Sequence, residues 1–245
     1  MNCEYTKFSL SDSAKRMDSA INNIDKALCI KDSIADAESE MDAMCQTAYI
    51  NASVLSIVFL SNTDWSDNQG QIELSLGYKT IFQEVIMLLK DCKLCRSYFI
   101  DGMHIIAVFD TPKKIDVQSM IDLSAKISSL LEIWRFKRER NSLCDFRCSI
   151  GLHYGKLLKF DEEMSTHRGS KTVYIGNAMQ KANQISYQSM PDMQTSCIRI
   201  SSTVYQNLNR EYQNMFHWEV KYESYMASLY NVEMKKWLQE KEASL

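Results

Sequence analysis

The segment from Tyr98 to Phe109 constrains this chain more than any other stretch. It reads Tyr-Phe-Ile-Asp-Gly-Met-His-Ile-Ile-Ala-Val-Phe, which predicts a strand, a tight turn centred on Gly102 and a buried strand from His104 to Phe109. A hairpin commits its strands to antiparallel pairing, and side-chain alternation then decides which residues face a core. Asp101 and Met103 flank Gly102 and cannot be exchanged without moving the turn. Pro112 closes the segment.

The rest of the chain supplies partners for that hairpin. Thr47 to Leu60 reads as a long buried strand and Ser61 to Gly70 as a polar loop. Helical spacing runs from Ile72 to Lys90 through Leu76, Phe82, Val85, Ile86 and Leu89, and again from Ile115 to Arg138. Cys148 to Leu158 is a predicted strand, and Val173 to Tyr187 begins as a strand end and becomes a helix. A short strand, Ile198 to Ile200, precedes a helix starting at Thr203 and capped by Ser201 or Ser202. Aromatic-rich segments at Phe216 to Tyr222 and Tyr225 to Glu233 read as a closing hairpin. Residues 1–46 are polar and helix-prone, with a narrow stripe at Ile21, Ile24, Leu28 and Ile34 that suits packing on the same domain or on a partner.

Strand, helix, strand, strand, helix, strand is the order of a ferredoxin-like α+β core, an antiparallel sheet with helices on one face. The expected division is an N-terminal helical segment, residues 1–46, and one domain over residues 47–240. A net charge of −3 gives no electrostatic reason to bind nucleic acid or anionic lipid. The longest apolar runs, such as Ser53 to Leu60, are too short to cross a membrane. Eight cysteines without a signal peptide point to a reducing cytoplasm.

Four segments, in order, carry a resemblance. They are Ser56-Ile-Val-Phe-Leu-Ser-Asn-Thr63, the Gly102 hairpin, Cys148-Ser-Ile-Gly-Leu-His-Tyr-Gly155 and Tyr174-Ile-Gly-Asn-Ala-Met-Gln-Lys-Ala-Asn-Gln184. Together they resemble class III nucleotidyl cyclases over residues 47–238. The layout is most similar to the stand-alone bacterial cyclases of Pycsar antiphage systems, which make cyclic UMP or cyclic CMP. The resemblance implies a site formed between two chains, with two aspartates holding Mg²⁺ or Mn²⁺, an asparagine orienting the ribose and a basic side chain on the phosphate.

Position by position, the family's two aspartates fall on Ser61 and Met103, its asparagine on Gln180 and its basic residue on Gln184. Its later glycine–aspartate pair becomes Gly176-Asn177. A thioether is a poor ligand for metals that want oxygen, so no cofactor is expected. The reading is a catalytically degenerate cyclase homologue with a neutral cleft, acting by homodimerisation or pairing with a cyclase-like subunit. Candidates for holding a nucleotide or cyclic pyrimidine nucleotide are Asn62, Thr63, Asn177, Gln180, Gln184, Arg168 and Lys171, the last two in the basic loop His167-Arg-Gly-Ser-Lys171. One alternative is a divergent uridylate or cytidylate cyclase whose Mg²⁺ or Mn²⁺ is held by Asp64, Asp101 or a partner chain. Against it, Asp64 lies in the loop rather than at the strand end, and Asp101 is expected to point to the other sheet face. The other alternative is an interaction module with an empty cleft.

Remaining motifs read as structural. Cys92 and Cys95 have metal spacing, but Cys144 and Cys148 form no matching pair, so independent thiols are expected. His153 reads as a satisfied core histidine, while His104, His167 and His217 belong to no cluster. The run Arg135 to Arg140 ends a helix, where cations suit the dipole, and Asp32 to Asp42 is a solvated helix face or connector rather than a calcium loop.

Overall fold

The computed structural model describes residues 9–22, 28–39, 47–61, 66, 68–139, 145–162, 171–188 and 196–244. In chain order the elements begin with α1 (Leu10–Asn22), β1 (Leu28–Ile30), α2 (Ile34–Ser39) and β2 (Thr47–Ser61). The middle of the chain holds α3 (Asn68–Asp91), β3 (Cys95–Asp101), β4 (His104–Phe109), α4 (Lys114–Glu139) and β5 (Phe146–Glu162). Then come β6 (Lys171–Ile175), α5 (Asn177–Gln188), β7 (Cys197–Ile200), α6 (Ser202–Asn207) and α7 (Arg210–Gln213). The described chain ends with β8 (His217–Glu219), β9 (Ser224–Ala227) and α8 (Val232–Ala243). These form two compact units, residues 1–50 with 158–174 and residues 51–157 with 175–245.

In the smaller unit, Ser33 caps α2. Its Oγ accepts from the Asp36 N–H at 3.1 Å and donates to the Asp36 carboxylate at 2.6 Å. That reciprocal cap accounts for the described part of the acidic stretch, and it seats Ile34 and Ala37 out of solvent. β1 pairs in parallel with the start of β2, Leu28 against Thr47 and Ile30 against Tyr49. Leu28, expected on a helical face, is therefore in a strand, because pairing with β2 overrides its local preference. Ile21 is 66% exposed and Ile34 fully buried, so the expected stripe does not bury as one face. Cys29 is disulfide-bonded, which departs from the expectation of reduced thiols; its partner lies outside the described residues.

In the larger unit the strands run β3-β4-β2-β5-β7-β9-β8. The first four, with α3 and α4 between them, form the ferredoxin-like βαββαβ core. The hairpin pairs Asp101 with His104, Ile100 with Ile105 and Tyr98 with Ala107. Only Gly102 in its two-residue loop has positive φ, +57°, which fits a II′ turn matched to strand twist. β4 then pairs antiparallel with β2, from Ser53 against Phe109 to Val58 against His104.

Alternation sorts the sheet's two faces. Leu55, Ile57 and Phe59 of β2 join Ile105, Ala107 and Phe109 of β4 in the core against α3 and α4, with the Phe59 and Phe82 rings 5.1 Å apart. Where the element order suggested helices on one face, α5 lies on the other. Gly151 of β5 permits it: a Cβ there would sit 2.3 Å from the Ala182 carbonyl oxygen and 2.8 Å from the Ser186 nitrogen. Only a glycine allows the helix backbone this close to the strand.

α3 begins at Asn68, so the last three residues of the expected polar loop are helical. The closing hairpin is also shorter than expected, since β9 stops at Ala227 and the segment Val232–Ala243 is helical. Asn231 decides this by capping α8, accepting from the Met234 N–H at 3.1 Å. Arg199 of β7 is buried, pairs with Glu219 of β8 and stacks 4.3 Å from the Tyr222 ring, tying the hairpin to the sheet.

Ser201 caps α6, as the sequence suggested, accepting from the Val204 N–H at 3.3 Å, and the same hydroxyl hydrogen-bonds His153 Nδ1 at 2.8 Å. Loss of both contacts is expected to cost Ser201→Ala about 1–2 kcal/mol in urea unfolding. Ser201→Thr, which keeps the hydroxyl, should recover most of it.

Candidate functional site

The hairpin turn brings Met103 to the end of β2. The Phe59 N–H donates to the Met103 carbonyl at 2.9 Å. Ser61, two residues on from Phe59, shares the sheet face to which Met103 belongs. Tyr78 of α3 reaches the same place, and its hydroxyl donates to Met103 Sδ at 2.8 Å. The Tyr78 ring is held edge-on to Phe82 and Phe146, with centroids 5.7 and 4.6 Å away. Hydroxyl, thioether and phenol are what this corner offers. That donor set does not fit Mg²⁺ or Mn²⁺, which take carboxylate and carbonyl oxygens.

Asp101 does not repair it. Its cross-strand pairing with His104 puts it on the opposite face, where it opposes the effect of burial on His104. Asn62, Thr63, Asp64 and Arg168 lie outside the described residues. Lys171 begins β6, in the smaller unit.

Asn177, Gln180 and Gln184 stand exposed on one side of α5. Gly176, with φ +150° and a Cβ position that would crowd the Lys156 carbonyl oxygen at 3.0 Å, turns the chain into that helix. Lys181 was passed over in the sequence, yet its Nζ donates to Gln184 Oε1 at 3.2 Å. The helix therefore carries an ammonium beside Gln184, and the expectation of a neutral surface is corrected on this side. The signal was available: residues three apart on a helix are neighbours.

Ser61 and Met103 thus belong to the α3 face, and Asn177, Gln180 and Gln184 to a helix on the other. One chain does not bring the two sets together.

Beneath α5 runs a buried chain that sequence reading missed entirely. Ser186 Oγ donates to the Asn183 carbonyl at 2.9 Å and lies 2.6 Å from Ser56 Oγ, which lies 2.7 Å from His104 Nε2. A hydroxyl has one proton to give. With Ser186 donating to Asn183, Ser56 donates to Ser186 and His104 Nε2–H donates to Ser56. His104, expected in no cluster, is held neutral by burial, and the Tyr187 ring packs edge-on at 5.1 Å. His153 is the satisfied core histidine expected. Burial first, and Lys181 second, lower its pKa to about 4.

Other candidates resolve as structure. Arg135 pairs with Glu132 and Asp145, and Arg138 with Asp145. Cys92, Cys95 and Cys148 are free thiols, and burial with the neighbouring Cys92 raises Cys95 to about 11. Among the described residues no three His, Cys, Asp or Glu side chains converge, and no helix is long and apolar enough to cross a membrane.

No protein-family model matches the chain. A uridylate cyclase of Gulbenkiania mobilis is 21% identical over 223 residues, 87% of this chain and 84% of that one. A guanylyl cyclase crystal structure superposes with a TM-score of 0.55 at 14% identity, over 69% of this chain and 81% of that one. The fold is that of a class III nucleotidyl cyclase homology domain. A class III adenylyl cyclase-like ATP-binding protein from Pseudomonas aeruginosa also superposes on it, with a TM-score of 0.54 at 11% identity, over 97% of this chain and 49% of that one.

Proposed function

We propose that this chain is a catalytically silent cyclase homologue. It works by associating with a second cyclase-like chain and by holding a nucleotide or cyclic nucleotide in the inherited cleft. One observation carries the reading: Met103 Sδ accepts the Tyr78 hydroxyl where the resemblance calls for a metal-binding carboxylate. Ser61 at the matching strand end supports it. Separation of the two residue sets onto opposite faces supports a site completed by a partner, as a homodimer or heterodimer. The Lys181 ammonium beside Gln184 supports retained affinity for a phosphate and weighs against an empty cleft. Similarity to a uridylate cyclase favours uridine or cytidine nucleotides. It also favours a setting in antiphage defence or phage counter-defence, where plaque counts with and without the chain would change.

The same similarity supports a second reading, a divergent uridylate or cytidylate cyclase. Incubating the protein with each nucleoside triphosphate and Mn²⁺ separates the two. The silent reading expects no pyrophosphate above the enzyme-free blank. Turnover abolished by Asp101→Ala would instead establish the enzyme. Calorimetric titration with cyclic UMP, cyclic CMP and UTP then tests binding, and Lys181→Gln should weaken the phosphate-bearing ligand about tenfold.

A further inference from the structure

α8 packs on α4 and lies near α3. No residue of α8 is fully buried. The helix is held at its start by the Asn231 N–H donating to Ser129 Oγ at 2.8 Å. Beyond that anchor it leaves a cavity of about 400 Å³ against α3 and α4. Trp134 and Trp237 both line it, with Ile81, Leu130 and Ile133 completing an apolar wall.

The wall is mainly hydrocarbon and aromatic, with Thr80, Glu84 and Lys137 as its polar side chains. A preformed apolar cavity with a few polar groups at its edge has the character of a small-molecule site, and its size falls within the usual range.

The polar groups set the class of ligand. Lys137 and Lys241 each place Nζ 5.9 Å from the Trp237 ring centroid, from α4 and from α8 respectively. Among the described residues Glu84 is the one carboxylate on the cavity wall. Lys137 stands on the wall with Glu84, and Lys241 adds a second ammonium over the Trp237 ring, which favours an anion at that rim, while the two indoles favour a flat ring system inside.

We propose that this cavity binds a planar aromatic anion, inserted between Trp134 and Trp237 with its charged group toward Lys137 and Lys241. The site is separate from the α5 surface and from Met103, and it does not depend on the function proposed above.

The test uses two probes of nearly equal shape, anilinonaphthalene sulfonate and its uncharged relative phenylnaphthylamine, titrated against the full chain. Sulfonate fluorescence is expected to rise to saturation at one site per chain while tryptophan emission falls. Lys137→Gln changes only an exposed side chain; it should weaken the sulfonate about fivefold and the neutral probe less than about twofold. Thr80→Phe, which fills the cavity from α3, should abolish binding of both probes with the far-ultraviolet circular dichroism unchanged. Non-saturable binding, equal response of both probes to Lys137→Gln, or wild-type affinity in folded Thr80→Phe would each overturn the proposal. Should Thr80→Phe not fold, the Lys137→Gln comparison decides.

Discussion

Gly151→Ala is expected to lower the unfolding free energy by about 3 kcal/mol or more, and the melting midpoint by about 10 °C. An ordinary glycine-to-alanine change in a strand is mild or even stabilising, so the sign needs its reason. The added methyl would lie 2.3 Å from the Ala182 carbonyl oxygen and 2.8 Å from the Ser186 nitrogen, both backbone atoms of α5. No rotamer change relieves that contact; the whole helix must retreat. Retreat pulls Ser186 away from Ser56 and uncovers the hydroxyl chain that ends on His104. Thermal unfolding by circular dichroism checks it, and a midpoint within about 2 °C of the wild type would show that α5 is not seated on Gly151.

Acidification should produce the second large effect. An unperturbed histidine titrates near 6.5, whereas burial and Lys181 lower His153 to about 4 in the folded chain. Between those values the unfolded chain binds the proton and the folded chain does not. Stability from this residue is therefore complete above pH 6.5 and drains as pH falls toward about 4, by about 3 kcal/mol at most. His104, its pKa lowered by burial against the opposing pull of Asp101, adds a loss of the same sign. Urea midpoints measured from pH 7.5 down to 5 stay clear of most carboxylate titration. Over that range His153→Gln should show a distinctly shallower slope than the wild type. Parallel slopes would mean that the folded chain accepts the proton on His153 without penalty.

The hairpin and the long strands were legible as sustained apolar runs bounded by turn residues, and the α3, α4 and α5 helices as a period of 3.6 over many residues. Gly102 placed its turn because positive φ favours glycine. β1 was not legible, since three residues carry no period and its pairing with β2 is a long-range event. At the candidate site, the face assigned to Asp101 followed from alternation alone. Tyr78 and Lys181 did not surface, because a position-by-position comparison looks only at columns where a functional residue is expected. Ser56, His104 and Ser186 were invisible for a different reason. They come from β2, β4 and α5, and nothing local announces that three unremarkable side chains will meet.

That meeting has a consequence for how the chain chooses its fold. Slide β2 past β4 by one residue and a leucine or isoleucine faces the imidazole, while the serine hydroxyl turns into hydrocarbon. Let α5 settle one residue out of phase and the serine's bond to Ser186 is broken. Each wrong arrangement strands a polar group away from water, at about 1–3 kcal/mol apiece. The three side chains therefore work as a key cut for one alignment, adding modestly to the depth of the native basin but penalising its nearest competitors.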